Sequence, residues 1–300
     1  MSRIAILTGG VSAERPVALK SAEGVRQALA GRYEIEVFDW PAAADIFLAR
    51  RHDFAAVIPV LHGRGGEDGT IQGLLESLGR PYLFSGVAAQ ALGLDKTRTK
   101  ALVAAAGVPI LPGESVRPGE SAVWRRPVVV KPNDGGSSVG TSLVRTAAEL
   151  PAALAAAWRE GGDALVEDLV EGDEYTVAIA DLDRVATALP VIAIRPRGGW
   201  FDFAAKYEVA ALAEEICPAP ISTELSYRLQ ELALTAHRTL GCRHISRADF
   251  MVDRAGQPWF LEINTIPGMT ETSLVPKAIR AAGRDVGETI DGWIADALAN

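Results

Sequence analysis

The stretch ISRADFMVDRAGQPWFLEINTIPGMT, residues 245–270, constrains the fold more than any other part of the chain. Two apolar runs, Ile245–Val252 and Trp259–Ile263, flank a short turn at 254–257, the pattern of a β-hairpin. If Asp253 pairs with Pro258 across the turn, counting back along both strands sets Asp249 opposite Glu262. Glu262 and Asn264 are two apart and share a strand face. Two carboxylates and an amide oxygen then meet at one spot. Like charges opposed on a sheet destabilise it unless a cation lies between them. Hard oxygen ligands without sulfur or imidazole favour Mg²⁺, bound jointly with substrate phosphates. A solvated acidic face is the plainer reading. Arg247 before the cluster and Pro267-Gly268 after it weigh against that reading, because they add an anion partner and a tight turn to the same place.

The rest of the composition narrows the classes. Three hundred residues suggest two or three domains. A hydrophobic fraction of 48% with 23% charged residues excludes wholesale disorder. A net charge of −8 argues against nucleic acid as a partner. The two cysteines, Cys217 and Cys242, are too few for a disulfide framework and lack metal-site spacing, which fits a reducing compartment. SRIAILTGG reads as a first strand and no signal peptide. No apolar run approaches the ~20 residues of a membrane helix. The expectation is a cytoplasmic protein without membrane contact.

In chain order, RIAILT ends at Gly9-Gly10, Glu34–Phe38 alternates, and 55–61 is continuously apolar. Strands alternating with helices predict a parallel sheet covered on both faces. Ligands of such sheets gather at the carboxyl ends of strands. Glu14 and His62, the latter in LHGRGGEDG, stand at two such ends. Neither G-x-G-x-x-G nor G-x-x-x-x-G-K-[ST] occurs, so phosphates are handled elsewhere. PVVVKPNDGGSSVGTSLV offers that place: Lys131 at a strand end and a glycine-serine flap able to turn backbone N–H groups toward phosphate. Glu167 and Glu174 beside Leu169 suit a nucleoside, with carboxylates for amine or ribose hydroxyls and apolar walls for the base. Residues 195–220 read as an irregular functional loop. The helix at about 223–241 carries one apolar stripe and a Ser222 or Thr223 cap, and His237 on it reads as structural.

GGVSAER, LHGRGGEDGTIQG, LDKTRTK, VVKPNDGGSSVG, AAKY, SRADF and LEINTIPGMTETSLVP, in this order, resemble the D-alanine–D-alanine ligase family of ATP-grasp enzymes. The resemblance implies an α/β protein of ATP-grasp architecture. It would have an N-terminal parallel-sheet, Rossmann-like domain (1–93), a central α+β domain (94–178) and a C-terminal α+β domain (179–300). It implies ATP-dependent ligation of two D-alanine molecules through an acyl phosphate, for peptidoglycan precursors, by a homodimer. Asp249, Glu262 and Asn264 match ligands of two Mg²⁺ ions, with Mn²⁺ as an alternative. Lys96, Lys131 and Lys206 match phosphate contacts, Ser138 lies in the flap, and Glu167, Leu169 and Glu174 match positions around adenine and ribose. Glu14, Ser137 and Tyr207 match a triad at the first D-alanine, near His62. Arg247 and the Gly268 N–H would stabilise transition-state charge, and Ser273 and Leu274 would hold the second carboxylate.

Three departures from the family pattern stand out. Pro16 and Ala18 replace an acidic residue and a serine, and Leu83-Phe84 replaces threonine-glycine. The glycine common after Lys206-Tyr207 is missing. A bulky Phe84 is expected to repack the first subsite. Competing readings keep the chemistry with D-serine or D-lactate as second substrate, make the chain a silent ATP-binding protein, or place it with biotin-carboxylase-like enzymes. Tyr207 favours the dipeptide, the intact Arg247, Glu14 and metal set opposes silence, and the Glu14–Ser137–Tyr207 set has no place in the last.

Overall fold

The alternation of short apolar strands with helices produces three sheets in the computed structural model, which describes residues 1–136, 139–196 and 213–299. The first region contains β1 (Arg3–Gly9), α1 (Arg15–Ala28), β2 (Glu34–Trp40), α2 (Ala44–Arg50), β3 (Ala56–Val60), α3 (Thr70–Ser77) and α4 (Val87–Leu94). Its strands form a parallel sheet in the order β2-β1-β3. The loops after β1 and β3 leave the same end of this sheet, and they carry Glu14 and His62.

A second, antiparallel sheet follows α5 (Lys96–Ala105). It consists of β4 (Gly113–Val116), β5 (Val128–Pro132), β6 (Ser142–Val144) and β7 (Ala164–Asp168), in the order β4-β7-β5-β6. Helix α6 (Leu150–Glu160) buries Ala153, Leu154 and Ala157 against its Val128, Val130 and Val166.

The third sheet holds β8 (Gly172–Leu182), β9 (Val185–Ala188), β10 (Ile192–Pro196), β11 (Ala213–Ile216), β12 (Ile245–Asp253) and β13 (Pro258–Asn264). Its order is β11-β10-β8-β12-β13, with β9 on β8. Strand β8 crosses the expected boundary at residue 178, since it pairs with β12 from Gly172 onward. The segment expected to be irregular from 195 to 220 has regular flanks, because β10 and β11 pair antiparallel.

Each face of this sheet has one task. Tyr175, Val177, Ala248 and Phe250 pack on Leu229 and Ala233 of α7 (Thr223–Leu240). Ser222 caps that helix by accepting from the Leu225 N–H, and Gly241 closes it at φ 68°. His237 is buried there, with Nδ1 2.8 Å from Ser246 Oγ, as a structural residue. On the other face lie Thr176, Arg247 and Asp249. Helices α8 (Leu274–Ala281) and α9 (Val286–Ala299) complete the fold. Trp293 and Ile294 of α9 join one core with Ile4, Ile6 and Ile58, so the two ends of the chain share a hydrophobic interior. Among the described residues no helix is long and apolar enough to cross a membrane.

The hairpin itself departs from a regular ladder. Val252 pairs with Pro258, where the sequence count expected Asp253, and the register shifts between Asp249 and Phe250. In an unbroken ladder from that start, Leu261 would face Asp249 and Glu262 would turn to the apolar side. Leu261 is instead the extra residue of a β-bulge, and Asp249 pairs with Glu262. The expected carboxylate pair is present, reached through a different turn register.

Candidate active site

The central sheet and the hairpin face each other across a cleft. Lys96, Lys131, Glu174, Asp249, Leu261 and Glu262 line it, and Leu111, Leu169 and Met251 add apolar wall. The bulge matters here because it lets Glu262 point into the cleft while Phe260 stays in the core against α7.

Asp249 is held from three sides. The Arg247 guanidinium donates to both its oxygens, at 2.9 and 2.8 Å, and Thr176 Oγ1 donates at 2.5 Å from the neighbouring strand. Asn264 Nδ2 lies 3.4 Å away. Glu262 lies 3.3 Å from Lys96 Nζ. Burial works to raise the Glu262 pKa, but Lys96, Lys131 and Arg247 outweigh it and hold the carboxyl well below its usual range. Burial likewise opposes the Arg247 charge, and Asp249 outweighs it, so the guanidinium stays protonated. Among the described residues no cluster of three or more His, Cys, Asp or Glu side chains forms a closed metal cage. Two carboxylates and an amide oxygen, open toward a cleft, instead suit a hard divalent cation such as Mg²⁺ that would share its coordination with a bound anion.

Behind this pair lies a second group of charges. Glu167, 2% exposed, has one carboxylate oxygen bonded to Lys100 Nζ and the other 2.7 Å from Lys131 Nζ. Glu167 thus lines the cleft with both oxygens engaged, by Lys131 of β5 and Lys100 of α5. Burial tends to raise its pKa, yet Lys131 and Lys100 prevail and keep it low. Leu169 and Glu174 line the cleft as well.

At the far end, the loops of the first sheet meet the flap. Bidentate contacts from Arg15 to Asp39, at 2.7 and 2.6 Å, fix the start of α1 beside Glu14. Ser12 Oγ donates to the His62 carbonyl at 2.7 Å and accepts from the Glu14 N–H at 3.3 Å, tying the two loops together. A Cβ on Gly136 would stand 2.6 Å from Glu14 Oε2, so the flap backbone lies directly against this carboxylate and a larger residue would make it shift. His62 is buried, and burial pushes its pKa down against the pull of Glu14. Its Nε2 is 3.4 Å from Ser21 Oγ, which also accepts from the Met269 N–H at 3.2 Å. A Cβ on Gly268 would lie 3.0 Å from Ser273 Oγ, so these two residues adjoin. Leu274 opens α8 directly after Ser273.

Known proteins resemble the chain over nearly its whole length. Family models described as "D-ala D-ala ligase N-terminus" and "D-ala D-ala ligase C-terminus" match residues 42–85 and 112–295. The D-alanine–D-alanine ligase of Alcanivorax borkumensis is 44% identical over 298 residues, covering 99% of this chain and 94% of the relative. That of Geobacter sulfurreducens is 44% identical over 289 residues, covering 94% and 90%. The chain belongs to the D-alanine–D-alanine ligase family. Solved structures agree with its ATP-grasp fold. The Bacillus anthracis D-alanine–D-alanine ligase complexed with ATP is 29% identical with a TM-score of 0.85, covering 100% of this chain and 98% of that one. The Coxiella burnetii ligase is 26% identical with a TM-score of 0.84, covering 99% and 94%.

Set against the family pattern, two of the three departures have physical explanations, and the third, after Tyr207, lies outside the described residues. Pro16 sits in the first turn of α1, where a missing N–H costs nothing, and Ala18 is fully buried. Phe84 adopts φ 72°, a conformation that suits the glycine it replaces. Its ring turns into the core, edge-on to Trp293 at 6.3 Å, and its N–H donates to His244 Nδ1 at 2.9 Å. It therefore packs the core and does not repack the first subsite as expected. Ser137, Ser138, Lys206 and Tyr207 lie outside the described residues.

Two residues within quoted motifs escaped the sequence reading. Glu67 accepts from the Gly63 N–H at 2.7 Å and is pushed up to about 8, by burial first and by Glu14 as well. Lys100 follows Lys96 by four residues, which sets both on one face of α5. That spacing was the available signal.

Proposed function

We propose that the chain joins two D-alanine molecules to D-alanyl-D-alanine at the expense of ATP, a step toward peptidoglycan precursors. One observation carries the reading: the Gly136 flap that borders the phosphate end of the cleft also abuts Glu14, so nucleotide and amino-acid ends form one site.

Adenine would lie against Leu169 and ribose near Glu174. Lys96, Lys131 and Lys206 would meet the phosphates, and the flap with Ser138 would exclude water that hydrolyses an acyl phosphate. Asp249, Glu262 and Asn264 would hold magnesium, taken as two ions, which supplies neutralisation of phosphate charge when bound. Glu14, with Ser137 and Tyr207, would receive the ammonium of the first D-alanine, with His62 near its carboxylate. That carboxylate attacks the γ-phosphorus, the bond to the β-phosphate oxygen breaks, and ADP and an acyl phosphate form. Ser273 and Leu274 would place the second D-alanine by its carboxylate. Its amine, having lost a proton, attacks the acyl carbonyl. The tetrahedral intermediate then expels phosphate as the peptide bond forms. Arg247 and the Gly268 N–H would stabilise the negative oxygen of that intermediate. Tyr207 favours an amine over a hydroxy acid in the second step. The reading includes a cytoplasmic homodimer paired through its first domain.

The test is ADP release with ATP, Mg²⁺ and D-alanine, with L-alanine and D-serine as controls and the product weighed. D-alanine-dependent ADP matched by D-alanyl-D-alanine is the expected result. ATP binding without ADP from D-alanine alone would move the reading to another second substrate, and no ATP binding would overturn it.

A further inference from the structure

Lys100 belongs to none of the roles above, yet its surroundings are unusual for a lysine. Its side chain is 5% exposed and donates both to the Glu167 carboxylate and, at 3.1 Å, to the Phe260 carbonyl. Phe260 directs its own N–H to the Pro109 carbonyl at 2.8 Å, so its backbone groups serve neighbours outside the hairpin ladder. Lys100 thus joins the central sheet to the bulged strand. Lys131 and Glu167 line the cleft, whereas Lys100 lies behind them.

Charge counting gives the arrangement its meaning. A buried carboxylate paired with one lysine makes a neutral unit. Here three ammonium groups, Lys96, Lys100 and Lys131, face two carboxylates, Glu167 and Glu262, and the group carries one net positive charge beside the cleft. We propose that Lys100, acting through Glu167, keeps that net charge available on Lys131, making Lys100 a positioning residue for nucleotide phosphate. Without Lys100, both oxygens of Glu167 would be free to engage Lys131 and cancel its charge. In a setting of low dielectric, such a loss is felt strongly by an anion. In agreement, the Lys100 ammonium is pulled down to about 8, by burial first and by the Lys131 charge next, with Glu167 working against both. The inference rests on the reading of Lys131 as a phosphate contact.

The test compares ADP and adenosine binding by calorimetry at pH 7 and fixed Mg²⁺, for the unaltered chain, Lys100→Met, Lys100→Arg and the double variant Lys100→Met/Glu167→Gln. Lys100→Met should weaken ADP binding about tenfold, the worth of ~1.4 kcal/mol, and leave adenosine within about twofold. Lys100→Arg keeps the charge and should keep the affinity. The double variant removes one charge of each sign, restores the net count, and should recover most of the lost ADP affinity. It also removes the orphaned buried carboxylate, so it carries the test if Lys100→Met folds poorly. Equal weakening of ADP and adenosine, or a folded double variant without recovery, would make Lys100 a purely structural residue and overturn the proposal. If the unaltered chain binds ADP no more tightly than adenosine, the phosphate reading of Lys131 fails first, and the proposal with it.

Discussion

Glu262 and Glu67 stand at opposite ends of one site, both half-buried, and their carboxyls end in opposite states. Burial pushes both toward the neutral acid. At Glu262 three cations, Lys96, Lys131 and Arg247, reverse that push. At Glu67 the Gly63 N–H offsets only part of it, the negative charge of Glu14 adds to it, and the carboxyl stays protonated up to about pH 8. Counter-charge, more than depth, decides the state of a carboxyl. Glu262 is therefore ionised in the cleft, while Glu67, in the loop after β3, keeps its proton.

Glu262→Gln should break the first half of this contrast most severely. Turnover is expected to fall at least ~10³-fold, as for loss of a group that handles transition-state charge, with the melting temperature changed by only a few degrees. ADP release and thermal melts check it together, and unaltered activity would sink the metal assignment. Gly136→Ala sharpens the other end. Its methyl would press on Glu14, and the KM for D-alanine should rise about tenfold while the KM for ATP holds. A rise in the KM for ATP with none in that for D-alanine would show that the flap serves the nucleotide alone. The smallest effect concerns Glu67→Gln. Because the folded pKa of Glu67 lies above its unfolded value near 4.5, the folded chain holds a proton that the unfolded chain releases. Stability from this group is full below about pH 4.5 and is lost as pH rises toward 8. The glutamine variant should flatten that decline by a few degrees of melting temperature between pH 5 and 8. An unchanged slope would deny Glu67 its raised pKa.

The two ends also differ in how far the sequence disclosed them. That Glu262 and Asn264 share a face followed from strand periodicity, since a pleat repeats every two residues, whereas their facing of Asp249 depends on a bulge that periodicity does not disclose. Strands β1 and β3, helix α7 and its Ser222 cap were legible for the same kind of reason. Ser21 and Lys100 were not, because their partners lie far away in sequence, Met269 for the one and Glu167 with Phe260 for the other; Glu67 bonds the nearby Gly63, but its burial and the charge of Glu14 come from the tertiary fold. Helices α2, α3 and α4 are short, and their tertiary packing, more than any strong periodic signal, holds them. The pairing of Glu167 was not legible either, because the strand-end acid was read without the lysine that α5 brings behind it. Phe84 shows the reverse problem: a residue poorly suited to its backbone angle is retained by an aromatic partner from the last helix.

The bulge at Leu261 also governs how this hairpin tolerates changes in length. Removing Leu261 would turn the ladder regular and leave Phe260 on the apolar side with Glu262 still across from Asp249. Adding or removing a residue elsewhere along β13 would exchange the two faces, sending a carboxylate into the core and an aromatic ring into the cleft. Natural length variants of this strand should therefore cluster at that one position.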